Sequence, residues 1–333
     1  MYIIIKKLVL YENYNKFMLI SSLIYSVCFL MIFFSGCSKK QQWNIYNTKN
    51  TDLSTDLIRQ IIIKDDSLQW IGTYGEGLFR NTNNNWERVE LPFGGQYILT
   101  LVTGLNDGLW IGTARKGAYY YSENKWKHIN SDSGLSDNNV WHILEDSRRN
   151  TWFCSRYKGI CRVKSDSMSM MMTCYNMKNG LPDRQVTLAV EDSKGGIWFG
   201  TVRGGLCRYS NGQFEYLNTK HGIKGNYIRT LICDSIPRWV GTWDGGLNYF
   251  TGEKWVLIDE IKKPVVFTGF DKRGYLWIGT WGHGVYVKRN NNWDHIKSSN
   301  SELPNDFVID IDFDSRGGVY FATSKGVARF SGY

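Results

Sequence analysis

Flat aromatic faces beside arginine forks are the groups that hold a sugar ring or an anion. This chain offers such a set. Trp141, Trp243 and Trp281 are the three of its 14 tryptophans that fall outside a regular spacing. Trp243 and Trp281 directly follow the same kind of tetrapeptide in successive segments, and Tyr74, Ala114, Arg156 and Val202 hold that place in other segments. Arg115, Tyr157, Arg203, Asp244 and His283 come one or two residues later. Trp141 and His142 open a strand near the same end of their segment. Stacking faces plus Arg suit a glycan or an anionic small ligand. Packing of Trp243 and Trp281 across a junction between segments is the alternative that the residues leave open.

The inventory for catalysis is thin. The five histidines, His128, His142, His221, His283 and His295, show no His-x-x-x-His or comparable metal spacing. There is no Gly-x-Ser-x-Gly elbow and no phosphate loop. No catalytic residue, metal or cofactor is expected. A carboxylate pair gathered from distant segments stays open, so a lyase or glycosidase is kept as an alternative. Five cysteines lie beyond the N-terminal region: Cys154, Cys161, Cys174, Cys207 and Cys233. Their odd number and irregular spacing predict buried thiols and no disulfide framework.

The elements that must position these residues repeat seven times. Trp70-Ile71-Gly72-Thr73 returns at Trp110, Trp152, Trp198, Trp239 and Trp277, and degenerates to Tyr320-Phe321-Ala322-Thr323. A Gly-bearing turn follows each copy. An Asp precedes the tetrapeptide by six residues at Asp146, Asp192, Asp271 and Asp314, and by five at Asp234, where it is expected to do the same job. A second series runs Trp43, Trp86, Trp126, a degenerate stretch near Tyr175, then Phe214, Trp255 and Trp293. Apolar strands start at Ile58, Ile98, Val140, Val186, Ile228, Val265 and Val308. Four short strands per unit of about 40 residues make a propeller blade. The fold predicted is all-β: a single seven-bladed β-propeller over residues 42–333. The last unit has three strands, the third ending at Phe330, and Trp43 marks an orphan fourth strand, so the N-terminal strand should pair into the last blade and close the ring.

The repeats resemble the two-component-regulator propeller family. Asp192-Ser193-Lys194-Gly195-Gly196-Ile197-Trp198-Phe199-Gly200-Thr201-Val202-Arg203-Gly204-Gly205-Leu206 matches its consensus well, as does the Gly180-Leu181-Pro182-Asp183 turn. The resemblance implies the sensing part of a regulator. The chain ends at Tyr333 without a kinase or receiver, so a stand-alone form with no signalling output of its own is expected. Streptogramin-lyase-like enzymes are also seven-bladed propellers, but their metal-assisted chemistry needs a central His and Glu set. Here His142, His283 and Glu76 are the nearest approach to one.

Residues 1–36 read as an address. Lys6, Lys7 and Lys16 precede the apolar run from Phe17 to Phe34, and the run ends in Phe34-Ser35-Gly36-Cys37. This resembles the lipobox of bacterial lipoproteins, with Phe34 where Leu is usual. It implies a lipid on Cys37, a tether over 37–41, and an extracytoplasmic position at the bacterial envelope. An uncleaved anchor is the alternative. Removing three Lys and one Glu lowers the net charge from +9 to +7. No Lys/Arg run exceeds two residues, so no nucleic-acid partner is expected. The sequence therefore reads as a membrane-anchored binding or sensing module, with a scaffold that docks another envelope protein as the alternative.

Overall fold

The computed structural model describes residues 42–332, apart from 66–67, 84, 93, 105–106, 165–170 and 291. The address segment, the tether and Cys37 lie outside the described residues. Those described form seven four-stranded antiparallel sheets with three single-turn 3-10 segments. The first strands of blades 1 to 7 begin at Ile58, Ile98, Val140, Val186, Ile228, Val265 and Val308, the seven positions the sequence predicted. In blades 1 to 6 strands A to D run in chain order from the axis to the rim, and in blade 7 strands A to C do. The A strands touch one another in a closed ring, the seventh against the first.

The last sheet has three strands of its own, Val308–Phe313, Val319–Thr323 and Gly326–Phe330. Its fourth is Trp43–Tyr46, antiparallel to Gly326–Phe330 with Trp43 opposite Phe330. The Trp43 ring lies 4.8 Å from Phe330 and 5.8 Å from Phe321. Closure by the N-terminal strand is thus as the sequence predicted, and it covers an edge that would otherwise be open.

The repeated residues each do a definable job. In blades 3, 4 and 6 the indole Nε1 of the B-strand Trp donates to the Asp six residues before it: Trp152 to Asp146 at 2.8 Å, Trp198 to Asp192 and Trp277 to Asp271 at 3.1 Å. The other oxygen of each carboxylate accepts a backbone N–H of the turn, from Asn150, Gly196 and Tyr275. One buried Asp therefore closes the turn and holds a core Trp, which explains the fixed spacing. Asp234, one residue nearer its Trp, stands in the turn before strand B as expected, but it is exposed and its side chain bonds no part of Trp239. The Thr ending strand B spans the next turn, as from Thr73 Oγ1 to the Gly77 carbonyl at 2.8 Å. A Cβ on Gly72 would stand 2.5 Å from Ile98 Cγ2 of the following blade, so Gly is what lets neighbouring sheets pack this closely.

One expectation fails. Cys161 and Cys174 form a disulfide between strands C and D of blade 3, where they lie directly opposite. Pairing register brings them together, and chain spacing gave no sign of it. That fourth strand is the degenerate stretch near Tyr175, without a clear mark in the sequence, so its register was not readable. Cys154 and Cys207 are buried thiols as expected, and Cys233 is half-buried.

Candidate functional site: the mouth and throat of the ring

Every A strand carries the same irregularity. Its first residue pairs with strand B, its second is skipped, and pairing resumes at its third. Such a bulge re-aims one side chain. Seven bulges in register put Arg59, Leu99, Trp141, Thr187, Arg229, Val266 and Ile309 around the axis, where all line one channel of about 240 Å³.

The mouth is built from two further repeat positions. The backbone N–H of the residue after strand B donates to the carbonyl of the residue before strand A. Tyr74 pairs with Leu57, Ala114 with Tyr97, Arg156 with Asn139, Val202 with Gln185, Trp243 with Tyr227 and Trp281 with Pro264, at 2.8–3.1 Å. These bonds hold the loop ends against each other, so side chains at both positions face one opening. Tyr74, Arg156, Tyr227, Trp243 and Trp281 line a cavity of about 440 Å³ there, which shares Arg59, Arg229 and Ile309 with the channel beneath. Trp243 lies 5.6 Å from Trp281 and 5.9 Å from Tyr227, ring centre to ring centre.

The structure divides the residues singled out from sequence. Tyr74, Arg156, Trp243 and Trp281 meet at the mouth, and Trp141 and His142 stand in the channel. Arg115, Tyr157, Arg203, Asp244 and His283 line neither cavity. Several of these brace loops instead. Asp244 accepts the N–H groups of Asn226 and Tyr227, each at 3.1 Å, and so fixes Tyr227. The Arg203 and Tyr157 N–H groups donate to the buried carboxylates of Asp183 and Asp137 at 2.9 and 3.0 Å. The His283 carbonyl takes a bond from His295 Nε2 at 2.8 Å. Arg115 is exposed at φ 70°. Tyr157 still touches the site indirectly, since the Arg156 guanidinium lies between it and Trp141, 5.3 and 5.2 Å from the two rings.

His142 is occupied. Its Nδ1 accepts the Ala189 N–H of the next blade at 3.2 Å, and burial lowers its pKa to about 4. It belongs to a series in which the third residue of strand A reaches the fourth residue of the following A strand. Gln60 accepts from Leu101 at 2.7 Å, Thr230 from Thr268 and Asp310 from Ile61 at 3.1 Å. The innermost strand is a sheet edge, and these side chains satisfy part of it.

Arg59, Tyr227, Arg229 and Asp310 are site residues that the sequence reading passed over. A signal for three of them existed. Arg59 and Arg229 hold the same place in strand A as Trp141, and Tyr227 stands just before it. Neither arginine has an ion pair or hydrogen bond among the described residues, and Arg229 Nε is buried without a partner. Burial, and then the like charge of Arg229, lowers the Arg59 pKa to about 10. Burial pushes Asp310 up to about 8 and Asp312 up to about 6, against the backbone bonds each accepts. No group of three or more His, Cys, Asp or Glu is placed to hold a metal ion among the described residues. No helix among them is long and apolar enough to cross a membrane.

Residues 134–157 and 180–203 match the family model described as two component regulator propeller. Two of the seven blades thus carry a recognised two-component-regulator propeller repeat. Each matched span runs from the loop before strand A to the loop after strand B, the stretch that builds the mouth. Among solved structures, the chain is similar to the extracellular domain of the putative hybrid two component system BT3049 from B. thetaiotaomicron, with a TM-score of 0.75 and 21% identity over 88% of this chain and 42% of that one. The extracellular domain of the putative one component system BT4673 from the same organism gives 0.70 and 19% over 87% and 40%. Virginiamycin B lyase from Staphylococcus aureus gives 0.67 and 14% over 88% and 99%. These likenesses are of fold. The chain spans about two fifths of the length of the two B. thetaiotaomicron extracellular domains. No curated protein matches the chain.

Proposed function

We propose that this propeller is an extracytoplasmic binding and sensing module, tethered by a lipid on Cys37, whose ligand lies over the mouth against Trp243, Trp281 and Tyr74. The observation that carries this reading is the convergence of aromatic rings and unpaired arginines on one opening. Tyr74 is 53% exposed and Trp281 39%, at positions that the repeat fills elsewhere with Ala114 or Val202. A scaffold does not require large exposed rings there. Sugar rings stack on such faces and offer hydroxyls to guanidinium forks, so a glycan is the ligand class that fits. The fold shared with extracellular domains of regulatory systems supports a sensing role. The channel acid Asp310, and Asp312 two residues further along the same strand, are engaged by backbone N–H groups, which favours binding over catalysis.

Docking of another envelope protein is the second reading. It draws on Leu57, Tyr97 and Phe307, which are exposed just before their A strands. A panel of neutral and acidic oligosaccharides, titrated against the purified chain, separates the two. A glycan should bind, and Trp243→Ala with Trp281→Ala should weaken it by on the order of 2 kcal/mol with little change in melting temperature. A glycan bound equally by the double variant puts the site elsewhere. A large fall in melting temperature makes both rings core.

A further inference from the structure

We propose that the ligand presents an anionic group, a carboxylate, sulfate or phosphate, which seats in the throat between Arg59 and Arg229. The inference rests on the mouth being the binding site and goes on to name what the ligand must carry. Arg59 and Arg229 border both the mouth cavity and the channel, so they stand where the two join. Neither guanidinium forms an ion pair or hydrogen bond among the described residues, although Arg59 feels the charge of Asp310. Of the residues lining the two cavities, Asp310 is the sole acid, and it already accepts the Ile61 N–H. Arg229 Nε is a buried donor with nothing to donate to. Arg162 Nε, in strand C of blade 3, is also without a partner, but it lines neither cavity, whereas an anion entering from the mouth can reach Arg229.

The arrangement also presents the donors correctly. Arg229 lies 5.8 Å from the Tyr227 ring centre, and Arg156, at the same mouth, 5.2 Å from that of Trp141. A guanidinium against an aromatic face keeps its edge N–H groups free, and that planar edge matches a carboxylate or sulfate. Burial first, and then repulsion from Arg229, lowers the pKa of Arg59, so the two throat arginines stand close enough to repel each other. An anion between them relieves the repulsion and satisfies Nε together. The sugar ring that bears it is then left at the level of Trp243 and Trp281.

The test uses the purified chain, the variant Arg229→Met and the Trp243→Ala/Trp281→Ala double variant. Three probes are inorganic sulfate, a glucuronate-terminated disaccharide and its neutral glucose-terminated counterpart. Sulfate should bind the native chain and bind Arg229→Met at least tenfold more weakly. The acidic disaccharide should bind at least tenfold tighter than the neutral one, and Arg229→Met should erase that preference. Without ligand, Arg229→Met should melt at or above the native temperature, because it removes an unpaired like charge. A clear fall in melting temperature would show Arg229 to be a structural brace and overturn the proposal. So would failure of sulfate to bind. Equal binding of the two disaccharides, lost in the tryptophan variant, overturns the throat site and leaves the mouth standing. Sulfate binding that Arg229→Met abolishes, with neither disaccharide affected by the tryptophan variant, supports the throat site and overturns the mouth.

Discussion

In strand C of blades 4 and 7, Arg208 and Arg329 reach back to the buried turn carboxylates of Asp192 and Asp314, both at 2.6 Å. In strand A of blades 1 and 5, Arg59 and Arg229 form no ion pair or hydrogen bond through their guanidinium groups among the described residues. At this repeat position the turn acid absorbs the charge of Arg208 and Arg329 into the scaffold, while Arg162, its counterpart in blade 3, lies 5.3 Å from the Trp152 ring centre with its Nε unpaired. The axis arginines sit at a bulge where the fold supplies a direction and no partner. Residue type alone does not separate scaffold from site here. What separates them is whether the repeat itself provides the second half of the interaction.

The largest effect should come from breaking the paired side. The Asp192 carboxyl is held below its usual range. Burial works against this, and bonds from Arg208 and the Gly196 and Lys194 N–H groups overcome it. Asp192→Ala leaves the Arg208 guanidinium and the Trp198 indole N–H without their acceptor. It should cost about 3–5 kcal/mol in denaturant unfolding. A loss below about 1 kcal/mol would mean the rim pairs are as dispensable as the axis arginines, and the contrast would collapse.

A smaller effect sharpens the same contrast for aromatics. Trp43 packs on Phe330 and Phe321 in the closing strand. Trp43→Ala should cost roughly 2–3 kcal/mol, less than a fully enclosed Trp because the residue is half-buried. It should leave glycan affinity within about twofold. The tryptophan pair at the mouth should do the reverse. If Trp43→Ala weakens binding as much as it weakens the fold, ring closure and the mouth are coupled.

The blades and their closure were legible because each depends on side chains that recur: Trp, the Asp six residues before it, and the orphan strand at Trp43. The disulfide was not legible, since Cys161 and Cys174 meet through the register of a strand that had lost its mark. Trp243 and Trp281 were found as neighbours because equivalent positions in adjacent blades must be adjacent. Arg203, Asp244 and His283 were grouped with them, yet a loop has no period that fixes where its later side chains point. Arg59 and Arg229 were passed over because strand A was read as an apolar run. A bulge breaks the alternation on which such a reading depends.

Asp310 stands where the two treatments of charge meet, and its titration gives the finest test. Burial lifts its pKa from an ordinary 3.8 to about 8, while Arg59 pulls the other way. The folded chain therefore keeps a proton that the unfolded chain has released. Stability should fall as pH rises from about 4, with the loss complete above about 8. His142, lowered from 6.5 to about 4, acts in the opposite sense, but only below 6.5. Asp312 titrates near 6 in the fold. Between pH 6.5 and 8 the slope belongs mainly to Asp310, and it should remove roughly 1 kcal/mol of unfolding free energy. Asp310→Asn keeps an acceptor for the Ile61 N–H and should flatten that window. If the variant and the native chain share one slope, Arg59 holds Asp310 ionised. The axis would then be an ion pair like those of the rim, with no charge left over for a ligand.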